Sequence, residues 1–288
     1  MSNPVKTVVV TGGTDGLGKA AALMLAERGY RVFATGRSAE KRAEIDSLGR
    51  ERKVPLESLE MDVCDDASVR NGVKAVLERA GTIDVLINNA GVGYVATVED
   101  LSLEDYRRQF ETNFFGVIRV TQAVLPHMRE RKQGRILMMS SVAGLVSPPL
   151  YSAYSGSKFA LEGLSNALRL ELHPFGIQVV LIEPGYIATN FQQTAQGFAK
   201  PYAEKGATGP YARIYQGSFN ASKAARTRSK TTAEDCARVM LRAIEAPRPR
   251  ARYGVTPLAK LVAWGKRLVS DRMMDGVLRR MYGIPDEL

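Results

Sequence analysis

Apolar positions along this chain follow two alternating rhythms. Val8-Val9-Val10, Val85-Leu86-Ile87 and Val179-Val180-Leu181-Ile182 are short uninterrupted apolar runs, the pattern of strands buried on both faces of a parallel sheet. The segments between them carry apolar residues at three- and four-residue steps, the period of a helix packed on one face. The pattern predicts strands at 6–10, 31–35, 56–61, 84–87, 135–140 and 178–182. It predicts helices at 16–28, 40–52, 66–80 and about 152–172, and one long helix at 103–131 interrupted by Pro126. Strand–helix repetition of this kind gives an α/β fold, a doubly wound parallel sheet with right-handed crossovers.

The rhythm breaks after Ile182. Residues 186–230 are rich in Gly, Ala, Ser, Thr and Tyr with little periodicity, and a helix pattern returns at 232–246. Long irregular segments in a compact domain are usually functional loops or lids. Residues 257–281 form a candidate amphipathic helix, with Leu258, Leu261, Val262, Leu268, Val269, Met273, Val277 and Met281 near helical spacing and a gap around Gly265.

Composition narrows the class. At 288 residues, with 45% hydrophobic and 24% charged residues, the chain fits one large globular domain. Cys64 and Cys236 cannot build a disulfide framework, and with His127 and His173 they give no zinc spacing, so no metal site is expected. Both cysteines read as small fillers of the interior. The chain runs from Met1-Ser2-Asn3-Pro4 straight into the first strand, without a signal-type segment. No apolar run approaches the ~18 residues a spanning helix needs, and a cytoplasmic location is expected.

Charge is uneven. Residues 1–198 hold 22 Lys and Arg against 22 Asp and Glu, while residues 199–288 hold 18 against 8. A basic C-terminal third on a neutral core suits either an anionic partner or a solvated face. No nucleic-acid-binding motif accompanies it, and nucleic acid is not expected as a partner. For the 257–281 helix, docking on its own domain or a partner subunit stands beside peripheral attachment to an anionic membrane.

Chemistry enters at the end of the first strand. Thr11-Gly12-Gly13-Thr14-Asp15-Gly16-Leu17-Gly18 opens the first helix. Such a turn lets the backbone approach a pyrophosphate while the helix N-terminus offers free N–H groups. The end of the second strand carries Gly36-Arg37-Ser38, with no acid until Glu40. A carboxylate there would favour NAD, whereas the Arg37 fork suits a 2′-phosphate. NADP is therefore expected and NAD is the lesser alternative, although Asp15 within the turn supplies no cation.

Tyr154 and Lys158 are four residues apart on a predicted helix and share a face. A phenol can give a proton to a carbonyl oxygen, but its ordinary acidity is too low for the reverse step near neutrality. An ammonium ~4 Å away contributes about 4 kcal/mol at an effective dielectric of ~20, enough to bring the phenol toward neutrality. Ser140-Ser141 and Asn88-Asn89-Ala90-Gly91 close two strands at the same sheet edge, Asn113 lies within the long helix, an unusual place for Asn, and Pro184-Gly185 follows the sixth strand.

With these motifs in this order, residues 5–190 or so resemble the short-chain dehydrogenase/reductase family, and 154–172 with 176–190 are similar to its steroid and retinol dehydrogenase branch. The resemblance implies a Rossmann-type single domain, with 1–190 as the dinucleotide-binding and catalytic core and 191–288 as a substrate lid with C-terminal helices. It implies Tyr154 as acid/base, Lys158 on the nicotinamide ribose and Ser141 on the substrate oxygen. Asn113 would anchor a relay water and Asp62 would meet the adenine. The implied cofactor contacts are Gly12, Thr14, Asp15, Gly16, Leu17, Gly18, Arg37, Asp62, Val63, Asn89, Ala90, Gly91, Tyr154, Lys158, Pro184, Gly185, Ile187 and Thr189. The expected activity is NADP-dependent interconversion of a hydrophobic ketone or aldehyde and its alcohol, in a homodimer or homotetramer. An NADP(H)-sensing regulator without turnover is the alternative, and it leaves the full catalytic set without a purpose.

Overall fold

Seven parallel strands in the order β3-β2-β1-β4-β5-β6-β7 form the centre of the protein. The computed structural model describes residues 5–187, 200–204, 206, 208–266 and 268–285. The strands are β1 (Thr7–Thr11), β2 (Arg31–Gly36), β3 (Leu56–Glu60), β4 (Val85–Asn88), β5 (Gly134–Met139), β6 (Ile177–Glu183) and β7 (Arg252–Gly254). The first helices are α1 (Gly16–Glu27), α2 (Ala39–Arg52), α3 (Asp66–Ala80) and α4 (Leu103–Phe110), followed by α5 (Gly116–Glu130) and α6 (Ser152–Glu171). The later ones are α7 (Ala212–Arg228), α8 (Ala233–Glu245), α9 (Pro257–Gly265) and α10 (Asp271–Tyr282).

Burial on both faces explains the uninterrupted apolar runs. Val8 and Val10 pack with Ala22, Leu25, Met240 and Ile244, under α1 and α8. Val9, between them, points to the other side and joins Val73, Val120, Val124 and Leu161, under α3, α5 and α6. Chain order reverses between β1 and β4, which pair directly from Val8↔Val85 to Val10↔Ile87. A crevice opens at such a reversal, outside the carboxyl ends of the strands, and ligands of doubly wound folds bind there.

The structure differs from the sequence expectation in four places. The single helix over 103–131 is instead α4 and α5 joined by a π-turn, Glu111–Phe115, and Pro126 lies inside α5 without ending it. Within the stretch read as irregular, α7 is a full helix. Only Tyr215 and Ser218 of it are buried, so it lacks the apolar stripe that would announce it. The 257–281 helix is two helices, α9 and α10, the second started by the Ser270 side chain accepting from Met273 N. Strand β7 is only three residues long and carries no apolar run.

Candidate active site

The glycine turn is built for close approach. Gly12 has φ +60 and Gly16 φ +51, a backbone region that glycine enters without strain. A Cβ on Gly18 would lie 2.2 Å from the Gly12 carbonyl oxygen, so the third glycine lets α1 close on the turn. Asp15 caps α1 by accepting from Gly16 N at 2.7 Å, and its other oxygen pairs with Lys41. Thr14 is buried, while Leu17 packs against the core beneath α1.

The loop after β4 is stitched to this turn. Asn89 donates its side-chain amide to the carbonyls of Thr11 (2.9 Å) and Gly12 (3.2 Å), while the Thr11 hydroxyl accepts from Asn89 N and Ala90 N. Gly91 lies against Asn113, whose carboxamide oxygen accepts from Val92 N at 2.8 Å and whose amide donates to Val92 O and Ser157 Oγ. Asn113 thus sits in the π-turn, fully buried, and pins the loop. π-turns concentrate at functional sites, and this one explains an Asn inside a helical stretch.

At the adenosine end, Arg37 is exposed beside β2 and faces Asp62 at 3.6 Å. The other Asp62 oxygen accepts from Cys64 N, and Val63 is buried under Gly116. Pro184 accepts from Val142 N at 2.8 Å, and Gly185 lies where a Cβ would meet the Thr256 hydroxyl at 2.2 Å. Ile187 is buried in the core. Thr189 lies outside the described residues.

At the reacting end, Ser141, Tyr154 and Lys158 come together. Tyr154 is hydrogen-bonded to Ser141, whose hydroxyl also accepts from Ala143 N. Lys158 is buried, its Nζ donates to the Met139 carbonyl at 2.7 Å, and it stands 5.7 Å from the centre of the Tyr154 ring. Burial pushes Tyr154 up to about 12, against the Ser141 hydrogen bond, and Tyr151 adds to the rise. Burial pulls Lys158 down to about 8, against the Glu162 carboxylate. The expectation that Lys158 brings the phenol toward neutrality is therefore not met in the protein by itself. The ammonium is aimed at the Met139 carbonyl, and desolvation is the largest influence on the phenol.

Sequence reasoning missed the residues that hold this set. The Ser140 hydroxyl donates to Glu162 at 2.5 Å, Glu162 pairs with Arg252, and Arg252 pairs with Glu183 at 2.7 Å. Gln109, buried in α4, accepts from Tyr94 N and donates to Val92 O. Arg42 donates to the carbonyls of Gly36 (3.0 Å) and Arg37 (2.7 Å). Helical spacing from Lys158 to Glu162 was the one signal available. The other partners meet only through the sheet.

A family model described as short chain dehydrogenase matches residues 6–199. The chain belongs to the short-chain dehydrogenase family. Human 17-beta-hydroxysteroid dehydrogenase type 1 is 34% identical over 255 residues, 86% of this chain and 77% of that protein. Human retinol dehydrogenase 8 is 39% identical over 67% of this chain, and 3-ketodihydrosphingosine reductase of Bacteroides thetaiotaomicron is 41% identical over 64% of it. Those two matches span 62% and 65% of the relatives' own lengths. These relatives place the chain in the steroid and retinol dehydrogenase-like branch. A short chain dehydrogenase/reductase from Burkholderia phymatum in complex with NAD is 27% identical, with a TM-score of 0.79 over 99% of this chain and 98% of that one. Serine dehydrogenase complexed with NADP+ is also 27% identical, with a TM-score of 0.73 over 88% and 95%. The two structural neighbours are thus complexed with NAD and with NADP+, respectively.

Proposed function

We propose that this protein uses NADP(H) to interconvert a hydrophobic ketone or aldehyde and its alcohol, with Tyr154 as acid/base. The observation that carries the reading is the half-buried, hydrogen-bonded Tyr154–Ser141 pair beside the buried Lys158 at the carboxyl edge of the sheet. The residues fit a dinucleotide. Gly12 and Gly16 give the turn its positive-φ backbone, Gly18 lets α1 close against it, and the N-terminus of α1 opens there. We assign Gly12, Thr14, Asp15, Gly16, Leu17 and Gly18 to the pyrophosphate side, and Asp62 and Val63 to the adenine. Asn89, Ala90, Gly91, Pro184, Gly185, Ile187 and Thr189 are assigned to the nicotinamide half with Tyr154 and Lys158.

Preference for the 2′-phosphate rests on Arg37. Lys41 supports it by neutralising Asp15, the carboxylate that would otherwise repel a phosphate in the turn, and Arg42 fixes the backbone that presents Arg37.

When bound, the nicotinamide supplies or accepts the hydride. Ser141 holds the substrate oxygen, and Tyr154 gives that oxygen its proton in reduction or removes it in oxidation. Lys158 binds the ribose and carries the positive charge that steadies the phenolate. Asn113 fixes the loop at Val92 and would anchor a water in a proton relay. A phenol held above its ordinary range is protonated at neutral pH, which favours the reducing direction.

Aromatic residues support an apolar substrate: the Tyr151 and Tyr154 ring centres are 6.4 Å apart, and Tyr186 and Tyr282 are near enough to Tyr151 to influence it or be influenced by it. We take residues 191–288 as a substrate lid with C-terminal helices of the same domain, within which α8 and β7 complete the core and the sheet. Tyr215 of α7 supports this by donating to Asp100 at 2.9 Å and accepting from Thr97 N. A homodimer or homotetramer in the cytoplasm completes the reading, and two free cysteines suit that reducing compartment.

The test is nicotinamide absorbance with NADPH and NADH against aliphatic, aromatic, steroid and retinoid carbonyls. NADPH oxidation with the bulky apolar members is the expected result. Tight NADPH binding with no turnover of any member would favour a cofactor sensor instead.

A further inference from the structure

Two C-terminal helices carry apolar surface that the fold does not use. α9 docks on β7 and the turn Val142–Gly144 with Ala259 fully buried. α10 packs on α7 so closely that a Cβ on Gly217 would meet the Tyr282 carbonyl oxygen at 1.9 Å. Met274, Leu278 and Tyr282, at four-residue steps, are its half-buried side. Neighbouring positions repeat the same spacing without cover. Leu261, Trp264 and Leu268 are 64%, 68% and 68% exposed, and Met273, Val277 and Met281 are each more than half exposed. Single exposed apolar residues are ordinary, but a repeating exposed stripe marks a contact.

Charge selects the occupant. Residues 257–285 hold six Lys and Arg against Asp271 and Asp275, and Lys260, Lys266, Arg272 and Arg280 are exposed. A second copy on a two-fold axis would set this excess against itself, since such an interface joins identical patches. Lysine is also depleted from interface cores. An anionic surface complements it. Exposed Leu and Trp with flanking Lys and Arg is the composition of helices that lie in a bilayer interface. Among the described residues no helix is long and apolar enough to cross a membrane.

We propose that the α9–α10 face attaches this protein peripherally to an anionic lipid bilayer. The helices that carry this face adjoin the catalytic residues, because α9 rests on the turn that follows Ser141 and α10 ends at Tyr282, close to Tyr151. Attachment would bring the mouth of the site to the lipid, where an apolar substrate concentrates. The contact itself does not depend on the enzymatic reading.

The test uses the full-length protein and vesicles of phosphatidylcholine, alone or mixed equally with phosphatidylglycerol. Trp264 is the only tryptophan, so its emission reports insertion directly. The expected result is sedimentation with the anionic vesicles and a blue shift of Trp264, both weakened by high salt. Each basic residue near such a surface strengthens binding about fivefold, so Lys260→Glu, Arg272→Glu and Arg280→Glu together should lower partitioning about a hundredfold or more. Leu261→Gln with Leu268→Gln should abolish the shift and leave thermal unfolding unchanged. Wild-type protein that neither sediments nor shifts overturns the proposal. So does a dimer in sedimentation velocity that the two Gln substitutions dissociate, which would give the face to a second copy.

Discussion

Lys158 and Glu162 stand one turn apart on α6, both buried, and the Glu162 carboxylate opposes the burial that pulls the Lys158 ammonium down to about 8. Glu162 also accepts from Ser140 and pairs with Arg252, which pairs in turn with Glu183. Two buried carboxylates are thus set against two cations, the arrangement that makes burial of each tolerable. Glu162→Gln keeps the shape and removes the charge. Lys158 then loses its proton at lower pH, and the alkaline limb of carbonyl reduction moves to lower pH. A kcat/KM profile identical to wild type would leave Glu162 only a packing role.

Tyr154→Phe should leave NADPH binding within a few-fold and lower turnover by about a thousandfold or more, the scale of acid–base catalysis at its upper end. Fluorescence titration and steady-state rates separate the two effects, and near-normal turnover removes Tyr154 from the acid/base role.

Direction should depend on pH in opposite senses. Tyr154 is held above its ordinary range, so the proton donor for reduction persists through neutral pH and is lost only toward alkaline pH. Alcohol oxidation needs the phenolate and should rise over the same alkaline range. Paired pH–rate profiles on one ketone and its alcohol check the sign, and oxidation fastest at acid pH would contradict it.

Arg37→Asp should turn cofactor preference toward NADH, since a carboxylate there accepts from a 2′-hydroxyl and repels a 2′-phosphate. Lys41→Ala should weaken NADPH more than NADH, because Asp15 then loses its counter-charge. The ratio of kcat/KM for the two cofactors reads both, and an unchanged ratio in each would move the selectivity elsewhere.

Gly18→Ala places a methyl 2.2 Å from the Gly12 carbonyl. Forcing the turn and α1 apart should cost about 1–3 kcal/mol of stability and weaken NADPH binding at least about tenfold. Calorimetry with and without NADPH measures both.

Tyr215→Phe removes the hydroxyl that meets Asp100 and Thr97 N. A buried donor left without its partner costs about 1–3 kcal/mol, so α7 should become a site of faster limited proteolysis. Cleavage within 200–228 at the wild-type rate would show that Tyr215 does not hold the segment.

The strand–helix order, the doubly wound sheet and the identities of Tyr154, Lys158, Ser141, Asn113 and the glycine turn were legible in the chain. Each depends on short-range rules: an apolar run such as 8–10 needs cover on both faces, a glycine turn opens a helix, and residues four apart share a helix face. α7 was not legible because its docking uses Tyr215 and the close approach at Gly217 in place of an apolar stripe. The break between α9 and α10 showed in the chain only as the gap around Gly265, because both halves keep helical spacing. The direction in which Tyr154 shifts was not legible because burial, the largest influence on it, is a property of the packed site. Glu162, Arg252 and Glu183 come from α6, β7 and β6, far apart in sequence, and only the pairing of β6 with β7 and the packing of α6 on β6 make them neighbours. By itself the sequence determined which elements form and which residues could do chemistry. Tertiary structure decided which of those residues meet, how far the interior shifts their protons and which helical faces remain uncovered, because contact, desolvation and exposure exist only once the chain has packed.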